Sequence, residues 1–299
     1  MNNYKKAYSP GDLVGPENSP YRKNWDMGGL EGPPPVTVVA EGVIAGFGSW
    51  VLDSKGLLKI DGKGNMPDWN RDADKGERAP WQYHRYDIYS VLLSDGITGI
   101  GNYAFSDCTR LKHIHIPATV DHIGNGAFFS CWELTRITIP NSVRKIGKYV
   151  FESSGLQQIT IPDSVTQLGE SAFYFCTHLT ECILSDNITE IGDSMFYQCE
   201  MLTDIRIPRN VTHIGYYAFH ACKNLRTIQL PNSLREIDHF AFSDCRSLTQ
   251  IDIPKNVKKI GDRPFTGCMK LQRVTMPFRF LRMHFKERYS IPKDIVTFY

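Results

Sequence analysis

No apolar run in the 299 residues approaches the length needed to cross a bilayer, which excludes a membrane-spanning helix. An excess of charge of one sign is missing too. With 34 basic against 32 acidic residues, no global field draws the chain to nucleic acid or to an acidic membrane. Met1 to Pro20 carries Lys5 and Lys6 but no apolar stretch after them, so it is not read as a secretory signal peptide, and the compartment stays open. No serine, cysteine or carboxylate constellation stands apart as a catalytic set, so the expectation is a non-enzymatic protein without a cofactor.

What the chain does have is repetition. A phrase of the form Ile-Gly-x-x-Ala-Phe-x-x-Cys-x-x-Leu-x-x-Ile-x-Ile-Pro-x-x-Val recurs eight times between Ile100 and Pro277. Its Ile-Gly step falls at Ile100, Ile123, Ile146, Leu168, Ile191, Ile214, Ile237 and Ile260, every 23 residues except for one interval of 22. Self-similarity at this period marks a solenoid, in which each unit buries its apolar face only by stacking on its neighbours. Within the unit, Leu111, Ile114 and Ile116 alternate on a short strand that Pro117 ends, and Val120 and Ile123 point inward from a second extended piece. Gly124 is expected to permit a tight turn, and Ala127 and Phe128 open a short helical or irregular stretch that closes the coil.

Of the eight cysteines, Cys108, Cys131, Cys176, Cys199, Cys222, Cys245 and Cys268 share one column, three residues after the repeat Phe, and only Cys182 is out of column. Free Cys behaves as a small buried hydrophobe. Stacked strands about 4.8 Å apart bring such residues near one another, but equivalent rotamers do not aim the sulfurs at each other as a disulfide requires. The column therefore reads as reduced thiols in the core. Departures from the phrase are local. The third repeat has Ser154 for the thiol, the fourth has Ser185 for the strand-ending Pro, the seventh has Asp238 for Gly, and the eighth has Pro264 for Ala.

Four segments follow from these patterns. Residues 1–40, with Pro10, Pro16, Pro20 and Pro33 to Pro35, read as a tail or extended arm. Residues 41–87 read as an N-terminal β cap whose hairpin joins Trp50-Val51-Leu52 to Leu57–Ile60 through Asp53-Ser54-Lys55-Gly56. Residues 88–277 form the solenoid, one partial repeat led by Ile88, Val91 and Leu93 and then the eight full ones. Residues 278–299, with Phe280, Phe285 and Phe298, read as a C-terminal cap.

The phrase resembles the BspA-like leucine-rich repeats, also called the Treponema pallidum type, over about Ile88 to Pro277. The preceding Trp50, Leu52, Gly56, Leu58, Ile60, Gly62, Gly64, Met66, Pro80 and Trp81 are similar to the N-terminal module common in those bacterial proteins. The resemblance implies an α/β leucine-rich-repeat solenoid with a curved parallel sheet, used to bind a protein or a host surface, and a secreted or cell-surface location.

Function is then sought in the residues the phrase leaves free. On the expected concave face the outward positions are His113 and His115, Arg136 and Thr138, Gln158 and Thr160, Glu181 and Ile183, Asp204 and Arg206, Thr227 and Gln229, Gln250 and Asp252, and Arg273 and Thr275. They make a polar, neutral, mixed surface on which Glu181 or Asp204 is positioned to pair with Arg206. A second set is aromatic and stands at positions expected to face outward: Phe129, Tyr174, Tyr197, Tyr217 and Phe240, with Tyr103 and Tyr149. Rings of this kind anchor interfaces or stack between coils, and a glycan is the alternative ligand.

Several motif matches fail on context. Gly99 to Ala104 fits a dinucleotide fingerprint but lacks a βαβ unit. Asp68, Asn70, Asp72 and Asp74 alternate like a calcium loop, yet Ala73 and Ala79 replace its required Gly and Glu. His113 and His115 project from one strand face without a third metal ligand in sequence. Asn187-Ile188-Thr189 and Asn210-Val211-Thr212 are sequons that matter only on a eukaryotic secretory route.

Overall fold

The computed structural model describes residues 35–71, 78–281 and 288–299, which wind into a solenoid of parallel strands with no α-helix among the described residues. Two rows of strands run along it, each ladder broken into separate hydrogen-bonded stretches. The first contains β5 (Ser90–Leu93), β7 (His113–His115), β10 (Gln158–Thr160), β12 (Glu181–Ile183), β16 (Gln250–Asp252), β18 (Arg273–Met276) and β19 (Val296–Phe298), with a single bridge between Arg206 and Gln229. The second contains β4 (Gly64–Asn65), β6 (Ile97–Ile100), β8 (His122–Ile123), β9 (Lys145–Ile146), β11 (Gln167–Leu168), β13 (Glu190–Ile191), β14 (His213–Ile214), β15 (Glu236–Ile237) and β17 (Lys259–Ile260). Register follows the repeat. Val91 lies opposite Ile114, Ile159 opposite Cys182, Ile123 opposite Ile146, and Ile214 opposite Ile237.

The remaining side of each coil is irregular rather than helical, and it is still held by an inter-coil ladder. The amides of Tyr103, Phe105 and Asp107 donate to the carbonyls of Asn125, Ala127 and Phe129 at 2.8, 2.9 and 2.8 Å, and later repeats repeat the pattern. Two positions per repeat have left-handed backbone, for example Tyr217 and Ala221 with φ of 56° and 54°. A bulky residue is unusual there; at Tyr217 the inter-coil bond from its own amide to the His239 carbonyl, 3.2 Å, fixes the conformation. Gly124 is not among the positive-φ residues, so its expected turn role is corrected: a Cβ there would come within 2.5 Å of the Asn102 amide nitrogen, and the glycine is required by close approach of adjacent coils.

Inside, the eight repeat phenylalanines from Phe105 to Phe265 form one column with centroids 5.2–5.9 Å apart and planes within 15°. Offset ring stacking adds to the burial of each ring. Trp81, in a 3-10 turn at Pro80–His84, stacks on Phe105 at 5.8 Å and donates its Nε1 to the Ala104 carbonyl at 2.8 Å. The cysteines of the column from Cys131 to Cys268 each place Sγ 3.0–3.2 Å from the carbonyl of the Phe one turn earlier. Ser154, the hydroxyl in that column, lies 3.4 Å from Cys176 Sγ. Ser185, fully buried, donates to the Val165 carbonyl at 2.7 Å where other repeats carry Pro.

At the N-terminal end, β1 (Val38–Ile44), β2 (Gly48–Asp53) and β3 (Leu57–Gly62) form an antiparallel meander, and β3 then pairs parallel with β5 to continue the first ladder. The tail expected over residues 1–40 does not extend through Val38 to Ala40, which belong to β1, because Ala40 pairs with Leu52 and is buried. Of the expected tail, residues 1–34 lie outside the described residues, as does Phe285. At the other end β19 pairs parallel with β18, and Phe280 is buried.

Candidate functional site

The strand alternation that buries Ile159, Cys182 and Ile251 turns their neighbours outward. His113, His115, Arg136, Gln158, Glu181, Asp204, Arg206, Thr227, Gln229, Gln250, Asp252 and Arg273 are all solvent-exposed, and they lie on the outer side of the first ladder. Gln158 stands opposite Glu181, Gln250 opposite Arg273, and Arg206 opposite Gln229. The expected ion pair between Arg206 and Glu181 or Asp204 is not the one formed. Arg206 reaches along the coil edge to Asp186, with Nη2 3.0 Å from Oδ1, while Asp204 accepts a hydrogen bond from Thr203 Oγ1 at 3.0 Å. Arg273 lies 3.9 Å from Asp252 across adjacent strands. Exposed pairs of this kind contribute at most about 1 kcal/mol, so the fold does not consume these charges.

At the N-terminal end of the same face lies a groove of about 670 Å³ that sequence reasoning missed. A single lateral row crosses it: Val51 pairs with Lys59, Lys59 with Leu92, and Leu92 with His115. Val38, 56% exposed, and Leu92, 42% exposed, give it an apolar floor, Lys59 and Asp95 give it charge, and His115 adds an imidazole. Of the expected residues only His115 lines it. The available signal was the alternation of Val51, Leu57 and Leu92, apolar at positions where the later repeats are polar.

The aromatic set forms a connected surface on the irregular side. Tyr174 stacks on Tyr197 at 4.6 Å, Tyr197 packs on His220 at 4.6 Å, and Tyr217 stacks on Phe240 at 5.0 Å. Each of these rings is half-buried against its neighbours in the next coil. Phe175 and Tyr216, not singled out from sequence, complete the surface and are 36% and 39% exposed. Phe129 stands apart from this group, covered by the Arg71 guanidinium at 3.8 Å, and Arg71 also pairs with Asp107 at 3.2 Å. Between Phe129 and Tyr174 in the same column sits Glu152, whose carboxyl burial pushes up to about 7 while Arg71 pulls it back. His220 is shifted down by burial, and its Nδ1 lies 2.7 Å from Ser243 Oγ.

The other motif matches resolve into repeat structure. The sequon asparagines Asn187 and Asn210 donate their Nδ2 groups to the Asp163 and Asp186 carbonyls at 2.7 and 2.8 Å, an inter-coil bond that Asn256 repeats. Ile100 and Gly101 are an ordinary ladder step with no helix after them. Asp68 accepts the Asn102 amide at 2.8 Å, and Asp72 and Asp74 lie outside the described residues. His113 and His115 gather no third ligand among the described residues. The one trio of metal-ligating side chains there is His213, Glu236 and Asp238, on the second ladder. No helix of the described residues is long and apolar enough to cross a membrane.

A family model described as the BspA type leucine rich repeat region matches residues 82–203 and 189–284, in six copies. Among solved structures, the chain is similar to a leucine-rich repeat protein from Bacteroides ovatus ATCC 8483, at 26% identity and TM-score 0.64 over 78% of this chain and 64% of that one. It is also similar to a leucine-rich repeat protein from Eubacterium ventriosum ATCC 27560, at 26% identity and TM-score 0.55 over 78% of this chain and 71% of that one. The chain thus spans somewhat less than two thirds of the Bacteroides ovatus protein. No match was found among curated proteins.

Proposed function

The chain belongs to the BspA-type leucine-rich-repeat family, and from that premise we propose that it is a non-enzymatic scaffold binding a protein partner or host-surface ligand through the outer face of its first ladder. The observation that carries this reading is the set of twelve exposed polar residues along one row of strands, nine of them in strand or bridge register. They are continuous at one end with the apolar groove between Val51 and His115. Interfaces combine an apolar centre with a polar rim, and this face offers both. The meander at one end and β19 at the other serve as caps, since a bare terminal coil would leave an unpaired strand edge. The test is capture of a partner from the protein's native surroundings by the full chain and by a variant carrying Asp204→Lys, Arg206→Glu and Leu92→Asp. Loss of capture with an unchanged far-ultraviolet spectrum supports the face; undiminished capture overturns it.

The aromatic surface around Tyr174 and Tyr197 favours a second reading, a glycan ligand lying across the exposed edges of Phe175 and Tyr216. Hits on a glycan array that vanish in Tyr174→Ala and Tyr197→Ala support it. An array without hits, or hits unaffected by those substitutions, overturns it.

A further inference from the structure

Asp238 breaks a steric rule of this coil. It occupies the position held by Gly124 and Gly147 in earlier repeats, where a Cβ would sit 2.5 Å from the Asn102 amide nitrogen or 2.6 Å from that of Asn125. A residue that violates the local packing pattern is expected at a functional position. Here the violation brings a carboxylate to His213, with Oδ2 3.0 Å from Nε2. The register supplies a third donor. His213 on β14 lies directly opposite Glu236 on β15, and Asp238, two residues beyond Glu236, extends from the same strand side. One donor atom from each of the three residues lies within 4.8 Å of the others, and all three residues are half-buried.

We propose that His213, Glu236 and Asp238 form a binding site for a divalent transition-metal cation of the zinc type. One imidazole nitrogen and two carboxylates suit zinc-like ions better than magnesium or calcium, which prefer oxygen ligands alone. A zinc ion about 2.0–2.2 Å from each donor needs donors roughly 3–3.5 Å apart, which modest side-chain rotations supply. Three protein ligands leave a coordination position for water. The two carboxylates balance the charge of the cation. In this structure the carboxylate charge is met by Lys259, whose ammonium contacts Glu236 and stands 3.8 Å from Asp238 Oδ1. The Lys259 side chain is 59% exposed and is free to swing into solvent when a divalent ion enters. Lys259 is therefore a resident competitor for the site.

The test is calorimetric titration of the full chain with Zn2+, repeated on Asp238→Gly, His213→Gln and Lys259→Gln. The first two substitutions install residues that other repeats already carry at those positions, Gly215 and Gln167, so the coil is kept. One site is expected in the native chain, weakened at least about tenfold in both of those variants and tightened in Lys259→Gln. Substituting Co2+ should give no thiolate charge-transfer band. Overturning results are no binding by the native chain, a loss under about tenfold in Asp238→Gly or His213→Gln (an adventitious ion only), no tightening in Lys259→Gln, or a cobalt–thiolate band.

Discussion

Cys222 Sγ lies 3.1 Å from the carbonyl oxygen of Phe196, one turn earlier in the coil, and that oxygen also accepts the Cys199 amide at 3.1 Å. The thiol thus gives the carbonyl a second hydrogen bond from the adjacent turn. Burial pushes the thiols of the column upward, those of Cys176 and Cys268 to about 12. Thiolate is the reactive form. Ellman's reagent near neutral pH should therefore find almost no accessible thiol in the folded chain and all eight after denaturation. Cys268, the most exposed of the eight cysteines, should react first. Rapid native labelling at Cys222 would contradict this placement.

The phenylalanine column makes a second expectation. Phe219 is fully buried between Phe196 at 5.2 Å and Phe242 at 5.4 Å, so its removal opens a cavity in the middle of the array. Phe219→Ala should cost about 3–5 kcal/mol in chemical denaturation. Because each coil is stabilised only by its neighbours, the loss should also separate the unfolding of the two ends. A loss below about 1.5 kcal/mol, the range of a volume-conserving swap, would show that the ring stack is not the core.

Glu152 gives a pH dependence with a definite sign. Its carboxyl is raised from 4.5 to about 7 by burial, so between those values the folded chain holds a proton that the unfolded chain has lost. The associated stability is present below about pH 4.5 and disappears as pH rises through 7. Glu152→Gln, which mimics the protonated form, should raise the melting temperature at pH 8 and change it little at pH 4. A larger gain at pH 4 than at pH 8 would refute the assignment.

The repeat phrase carried most of the fold because each of its columns has one physical task, and the ladders Val91–Ile114 and Ile214–Ile237 keep the predicted phase. The thiol column and the outward polar positions were legible for the same reason. What escaped was lateral. β1 was hidden because Val38 to Ile44 carries no repeat signal, and the Val51–Lys59–Leu92–His115 row joins residues far apart in sequence. The Arg206–Asp186 pair was missed because alternation tells which side a residue faces, not how far an arginine reaches along it. Asp238 was visible as a departure, but its meeting with His213 depends on the stacking of neighbouring coils.

That stacking also sets the glycine column apart from ordinary turn glycines, and it distinguishes positions within the column. At Gly124 an added Cβ meets the Asn102 amide nitrogen at 2.5 Å, backbone that cannot move without separating two coils. At Gly192 the nearest atoms are Glu170 Cα at 3.3 Å and Cγ at 3.4 Å, so a small shift accommodates a methyl group. Gly124→Ala should therefore destabilise by about 1–3 kcal/mol, as overpacking does, while Gly192→Ala should be close to neutral. Neither glycine has positive φ, so a conformational account predicts no such difference. In denaturant titrations of the two single variants, equal losses would refute the close-approach explanation. The predicted inequality would place the spacing between coils, rather than the turn, in control of this column. It would also explain how one repeat can carry Asp238 there: local spacing varies enough along the array for a single coil to admit a side chain.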